Sequence, residues 1–262
     1  MWRSVDLREL WNYRELLYFL VWRDVKVRYK QTLLGVTWAV IQPLFAMLIF
    51  AFFFGRIAKL PSDGMPYPLF AYAGLLPWTL FSNAITSGSN SMIASSNLIT
   101  KVYFPRLLVP IAAVSTSLID FAFALLMFVP LSLNSHFRPS VNAVIAIPLS
   151  TLLVFLTALG LSIWLSALVV RFRDLRHVIP FVIQIWMFAT PIVYPLSMVP
   201  AKWLPWVKLN PMASLVETFR GGLSGRAVDV TEVAAAAGLA IVAIVSGSIY
   251  FRRLERMFAD VI

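Results

Sequence analysis

The chain has 262 residues, of which 60% are hydrophobic and only 13% charged. Soluble globular domains carry roughly 45–50% apolar and about 25% charged residues, and a single water-soluble core of this size cannot hide such an excess. The net charge of +10 fits Lys and Arg gathered in the cytoplasmic segments of a membrane protein better than it fits a nucleic-acid partner. The absence of cysteine excludes disulfides, thiol catalysis and thiolate metal sites, and the two histidines, His136 and His177, lack the spacing of a zinc site.

The expected fold is an all-α integral membrane protein forming a single domain over residues 1–262. Residues 1–34 precede the first expected span. Arg3, Asp6, Arg8, Glu9, Arg14 and Glu15 interrupt the stretch where a cleavable signal peptide would need unbroken apolar residues, so the first spanning helix is expected to do the targeting. From residue 5 to 30, Arg8, Asn12, Glu15, Arg23, Lys26 and Lys30 fall along one helical face. Leu7, Trp11, Tyr18, Val21, Trp22, Val25 and Tyr29 fall on another. This pattern predicts an amphipathic interfacial helix, either a simple anchor or a collar that also touches a cytoplasmic partner.

A helix needs ~20 mostly apolar residues to cross hydrocarbon. The stretches that meet this give six expected spans, at about 35–56, 69–94, 107–133, 142–169, 178–197 and 233–251. With both termini cytoplasmic, 15 of the 22 Lys and Arg residues lie inside, the orientation favoured by the positive-inside rule. Asp120 falls within the third span. It could serve as a proton relay or as a structural hydrogen-bond acceptor for a neighbouring helix, and no basic residue within the spans offers it a partner. Trp38, Phe45 and Phe52 recur every seven residues and share one face of the first span. His177, Phe181, Gln184 and Phe188 share a face of the fifth. These rings either pack between helices or line a channel.

Two segments outside the spans carry more information. Residues 95–106 form an expected short helix, with Ser95 or Ser96 able to cap it and Pro105 ending it. Leu98, Ile99, Val102, Tyr103 and Phe104 are expected to be exposed, which makes the segment either an interfacial turn or a knob that docks into another protein. Residues 198–231 are too polar and proline-broken to span, yet contain Trp203, Trp206, Leu204, Val207, Met212, Leu215, Val216 and Phe219. Short re-entrant helices at the outer surface would fit, provided that protein or a wet cavity satisfies their backbone. Gly222-Leu223-Ser224-Gly225 has the form found in intramembrane serine proteases, but no histidine lies on a second span to take the serine proton. A glycine-rich turn after a short helix is the better reading. No phosphate-binding Gly-x-x-x-x-Gly-Lys-Ser/Thr loop occurs, so any ATP must be bound by another chain.

Four stretches in order resemble one family along the whole chain. They are Arg28-Tyr29-Lys30-Gln31-Thr32-Leu33-Leu34-Gly35-Val36-Thr37-Trp38 with Gln42-Pro43-Leu44; Lys101-Val102-Tyr103-Phe104-Pro105-Arg106; Arg171-Phe172-Arg173-Asp174 with Thr190-Pro191-Ile192-Val193-Tyr194-Pro195; and Leu209-Asn210-Pro211-Met212 with Glu217-Thr218-Phe219-Arg220-Gly221. Together they resemble the type-2 ABC polysaccharide exporters, the permeases for O-antigen, capsule and teichoic acid, with the O-antigen branch most similar.

That resemblance implies a transport permease of the bacterial inner membrane rather than an enzyme. It implies a homodimer docked on two separate ATPase subunits, which bind ATP and magnesium, and no cofactor or metal in this chain. The substrate would be a glycan linked to undecaprenyl diphosphate. Residues 95–106 would be the coupling helix, with Leu98, Lys101, Tyr103, Phe104 and Arg106 meeting the ATPase. Residues 198–231 would be periplasmic gate helices, with Trp203, Trp206, Glu217 and Arg220 at the exit. Trp38, Phe45, Phe52, Phe181, Gln184 and Phe188 are candidates for the channel lining. Arg23, Lys26, Arg28 and Lys30 are candidates for attracting the anionic lipid diphosphate, although the same four residues also fit ordinary positive-inside charge. A drug or lipid exporter of the same superfamily is the nearest alternative; many of these carry a large outer domain between the first two spans, where this chain has only residues 57–68. A proton-coupled transporter would be expected to show internal repeats and paired intramembrane charges.

The topology generates a test that the cysteine-free sequence makes clean. Single cysteines at Ser62, His136 and Lys202 are expected to react with an impermeant thiol reagent added from the periplasmic side. Cysteines at Ser4, Asn97 and Asp260 are expected to stay unlabelled, and outside labelling at Asn97 would overturn the orientation.

Overall fold

In a computed structural model, residues 7–30 and 35–255 are described, and every regular element among them is helical. Expectations that fall on residues 1–6, 31–34 and 256–262, including the placement of both termini and of Gln31-Thr32-Leu33-Leu34, lie outside the described residues. The chain opens with α1 (Leu7–Asn12) and α2 (Arg14–Lys30). The helix α3 follows over Thr37–Ile57, its last seven residues wound as a π-helix. Then come α4 (Tyr67–Ala94), the short α5 (Ser96–Lys101), α6 (Leu108–Asn134) and α7 (Ala143–Arg171). After these the chain forms α8 (Leu175–Phe188), α9 (Leu204–Lys208), α10 (Pro211–Leu223) and α11 (Val230–Leu254).

Among the described residues, four helices are long and apolar enough to cross a membrane, namely α3, α6, α7 and α11. The other two expected spans differ from that standard for separate physical reasons. With 28 residues α4 is long enough, but its second half is rich in Ser, Thr, Asn and Gly. It sits in the middle of the bundle, fully buried at Phe70, Tyr72, Leu76 and Phe81, and packs against α3, α6, α7 and α10. Small residues at such positions let neighbouring backbones approach closely. Their hydroxyls turn back onto their own helix: Ser91 Oγ donates to Gly88 O at 2.7 Å and Thr79 Oγ1 to Leu76 O at 3.0 Å. The expected span over 178–197 is helical only over the 14 residues of α8, a rise of about 21 Å against a hydrocarbon core of ~30 Å. Residues 189–195 continue it as irregular chain, and a single 3₁₀ turn follows over Leu196–Met198.

Polar bonds tie α4 to both flanking helices. Tyr72 Oη donates to Ala124 O on α6 at 2.7 Å, and Ser162 Oγ of α7 donates to Ala84 O at 3.2 Å. The packing of α7 against α11 is closer still. A Cβ on Gly160 would stand 2.6 Å from the backbone nitrogen of Ile244, and one on Gly247 would stand 2.8 Å from the Gly160 carbonyl oxygen. Trp164 and Tyr250 stack beside this crossing with ring centroids 4.6 Å apart.

The N-terminal helix differs from the expected amphipathic pattern. Its leucines make the protein contact: Leu20 is buried, and Leu16, Leu17 and Val21 pack against the same cluster. Trp11, Tyr18 and Trp22, part of the expected apolar face, are turned outward, as is Phe19. Arg23 Nη2 donates to Ser95 Oγ at 3.3 Å, whereas Arg28 Nη2 donates to Ser87 Oγ at 2.9 Å, eight residues back along α4. The helix therefore runs up the flank of the bundle, against α6, rather than lying across its end.

The α7–α11 crossing is a sharp test of this packing. Gly160→Ala inserts a methyl group where backbone already stands, and overpacking of this kind costs typically 1–3 kcal/mol. Gly238→Ala, where nothing lies within 4 Å, is expected to leave thermal stability in detergent unchanged or raised by helix propensity, worth up to ~1 kcal/mol. Equal melting temperatures for the two variants would contradict the crossing.

Candidate functional site

The structure distributes the sequence-predicted residues over four places. At one end of the bundle α5 and the turn after it present residues 95–106. The apolar residues expected to face outward there divide into two sets. Val102 and Tyr103 are exposed, Tyr103 to 89%, and Lys101 is exposed beside them. Ile99 and Phe104 are buried, 5% and 4% exposed, in a cluster with Leu20, Leu107, Leu108 and Phe251, and Leu98 packs against its edge. The expectation that all five form an external knob is corrected: β-extended Val102 turns the chain so that Tyr103 points out and Phe104 points in. Arg106 is half-buried and donates to the Glu255 carbonyl at the end of α11.

The second place is where α2, α3, α4 and α6 meet. Arg28 donates to Asp120 Oδ2 as well as to Ser87, and Tyr29 Oη donates to Asp120 Oδ1. Asp120 thus has a basic partner that the sequence reading did not assign, on a helix 92 residues earlier. The one signal pointing to it was the solitary acid itself, since a carboxylate within an apolar helix requires a partner. The group lines a cavity of about 530 Å³, which Trp38 and Gln42 of α3, Trp78 and Asn83 of α4 and Ser117 of α6 also wall. The Ser117 hydroxyl is buried there with no hydrogen-bond partner among the described residues. Arg23, Lys26 and Lys30 do not line it. Arg23 pairs with Asp24 at 2.8 Å, and Lys26 and Lys30 are exposed.

The third place is an outward face. Of the six channel candidates Trp38 alone borders the cavity. Phe45 and Phe52 are exposed along α3, and Phe181, Gln184 and Phe188 are exposed along α8. They are not core rings of this chain.

The opposite end of the bundle holds the fourth set, and its members part company. Trp203 and Trp206 are exposed, at 56% and 69%, whereas Arg220 is buried at 4%. Gly74, with no side chain, leaves room for its guanidinium, which donates to Pro191 O at 3.2 Å and Ile192 O at 2.9 Å and lies over the Phe70 ring at 3.7 Å. Nearby, Asn210 caps α10 by accepting from Met212 N at 3.0 Å, accepts from Trp186 Nε1 at 3.0 Å and donates to Thr190 Oγ1 at 2.9 Å. Two stretches singled out separately in the sequence, Thr190–Pro195 and Asn210–Gly221, are therefore one structural knot. Arg226 extends it to the loop before α4 through Glu217 and, at 2.8 Å, Asp63, which also accepts from Ser197 at 2.9 Å. Burial pushes the Asp63 carboxyl up, but the Arg226 guanidinium and the Ser197 hydroxyl outweigh it and hold it below its ordinary value of 3.8. The bond and charge of Glu232 push the Lys208 ammonium up, joining α9 to α11 at 2.7 Å. The Asp63 links carried no sequence signal. Ser224 ends α10, donating to the carbonyls of Arg220 and Gly221 at 3.2 Å.

Exposed Tyr103 and buried Phe104 separate two effects. Tyr103→Asp is expected to leave the melting temperature within about 2 °C of wild type, as surface changes usually stay within ±0.5 kcal/mol, while weakening attachment of any protein docked on α5. Phe104→Asp places an unpaired charge in the core, costs several kcal/mol and is expected to lower the amount of folded protein. Equal yields and melting temperatures for the two variants would contradict the burial pattern.

Comparison with known proteins finds a match to the family described as ABC-2 type transporter over residues 15–223. An O-antigen export system permease protein RfbA of Myxococcus xanthus is 32% identical over 259 residues, covering 97% of this chain and 98% of the relative. The protein of the same name from Klebsiella pneumoniae is 29% identical over 95% of both chains. A polysialic acid transport protein KpsM of Escherichia coli is 22% identical over 76% of this chain and 77% of its own.

Proposed function

This chain belongs to the ABC-2 type transporter family, and from that premise we propose that it is the membrane subunit of an ATP-driven exporter carrying an O-antigen-like polysaccharide across the bacterial inner membrane. The observation that carries this reading is the likeness, along almost the full length of both chains, to permeases named for O-antigen export. The glycan travels linked to undecaprenyl diphosphate, six spans place both termini in the cytoplasm, and two copies of the chain stand on two ATPase subunits that bind ATP and magnesium. Export of a capsular polymer is the second reading, favoured by the likeness to proteins named for polysialic acid transport.

Several features of the chain support the assembly. The helix α8 is too short to cross alone and exposes Val182 and Ile185, apolar side chains that a second copy would cover. Flat aromatic rings on α3 and α8, with Gln184 among them, offer contact area to sugar faces without demanding one sequence of sugars. The exposed Lys101–Tyr103 edge of α5 gives an ATPase a rigid point to push. A permease moves only if its partner's nucleotide state favours one of two packings, and α5 leans directly on the cluster that α2, α6, α7 and α11 share.

The test is made in the source bacterium. Removing the chain is expected to abolish surface polysaccharide and leave diphosphate-linked polymer inside the cell. A plasmid copy restores the surface polymer, and the Tyr103→Asp copy does not. Unchanged surface polymer in the deletion strain would refute the proposal.

A further inference from the structure

We propose that Arg28, Tyr29 and Ser87 form an anion-binding site on the wall of the central cavity, that the Asp120 carboxylate is its internal occupant, and that the phosphate group of an amphiphile takes the place of that carboxylate. The identification of the amphiphile as the exported lipid-linked substrate rests on the function proposed above; the site itself rests on geometry.

The first argument is the donor set. Two donors of α2 converge on the carboxylate, the Arg28 guanidinium and the Tyr29 hydroxyl, and the Ser87 hydroxyl of α4 orients that guanidinium by accepting from its other terminal nitrogen. Asp120 supplies both oxygens to this group. A guanidinium flanked by hydroxyls binds a carboxylate or a phosphate by the same fork of donors, so what holds Asp120 also fits a phosphate. A neutral sugar cannot displace a carboxylate from a guanidinium, because the exchange would give up the charge-assisted bond.

The second argument is position. The pair is not sealed in the core. Arg28 is 34% exposed and Asp120 13%, and both border the cavity of about 530 Å³. Stability does not account for the pair, since replacing a desolvated ion pair by well-packed apolar residues is often neutral or stabilising. An ionisable group on an apolar helix, facing a cavity, is instead expected at a ligand path. The neighbouring wall suits the rest of such a ligand: Trp38 and Trp78 present flat apolar area, Gln42 and Asn83 present amides, and the buried Ser117 hydroxyl has no partner among the described residues.

The third argument is the lever that carries the site. Arg28 and Tyr29 end α2, whose middle is fixed at Leu20 in the cluster with Ile99 and Phe104 and at Arg23 on Ser95. The same cluster holds Leu108 and Ala112 of α6, the helix that carries Asp120, so α2 ties the donors to both α5 and α6. Ligand exchange at the cavity and movement at α5 are joined through one 17-residue helix.

Binding decides the matter without transport. A polyprenyl diphosphate is titrated into the full-length protein in detergent and read by native mass spectrometry. Wild type is expected to bind, and Asp120→Asn, which replaces the anionic competitor by a weaker neutral acceptor, to bind at least about fivefold tighter as the donors become free more of the time. Arg28→Gln is expected to lose the lipid. The charge-balanced double variant R28Q/D120N is expected to lose it too while keeping a single gel-filtration peak. Asp120→Ser carries the test should the Asn variant not fold. Displacement by inorganic pyrophosphate, and not by neutral polyprenol, assigns recognition to the phosphate group; displacement by polyprenol alone overturns the site. Folded D120N that binds no tighter than wild type also overturns it, as does R28Q that binds equally well. Loss of binding in R28Q together with export of some other cargo would count against the proposed function and leave the site standing.

Discussion

A helix in the middle of an apolar bundle has no water to satisfy its polar groups, and α4 meets that constraint over 28 residues. Its hydroxyls and amides bond back to its own carbonyls, its glycines admit neighbouring atoms, and its large side chains Phe70, Tyr72 and Phe81 are sealed from solvent. Everything else is arranged around this rod. The helices α6 and α7 flank it, α10 closes one end by packing on both α4 and α7, and the α5 turn leaves the other. A polar substitution that could not bond back would leave a buried group unpaired, at a cost of about 1–3 kcal/mol.

The two ends of the rod are built on different principles. At the α10 end, charges and amides are locked: Arg220 holds two carbonyls, Asn210 joins α8 to α10, and Arg226 spans to Asp63. This end has a dense set of directional bonds in which movement of one part strains several others. At the α5 end the contacts are mainly apolar, centred on Leu20, Ile99, Phe104 and Phe251. Apolar packing is non-directional, so this end can shift as a body while remaining covered.

Between the ends lies the cavity, and its chemistry is mixed where the rest of the bundle is apolar. Arg28, Asp120 and Gln42 share it with Trp38 and Trp78. The charged pair there is not sealed in the core, and its donor stands on a helix that also reaches the α5 cluster. The outward rings of α3 and α8 are a separate feature, on a face this chain does not cover by itself.

Much of the architecture was legible in the sequence, because hydrocarbon imposes long charge-free runs that can be read residue by residue. The helices α3, α6, α7 and α11 fall close to where those runs lie. The short α5 lies within the 95–106 stretch singled out in the sequence, although Ser95 makes no side-chain cap bond and the helix ends at Lys101, before Pro105 is reached. The sequence also made Asp120 a residue in need of a partner. Only tertiary structure decided who the partner was, because the pairing with Arg28 joins positions 92 residues apart and local periodicity carries no information at that range. The same holds for the inward turn of Phe104, which depends on the cluster waiting beneath it, and for α2, which turns its leucines toward the bundle and Tyr18, Phe19 and Trp22 away from it. Hydropathy says that a residue leaves water; it does not say whether lipid or protein receives it, and that choice is made by the shape of the neighbouring surface.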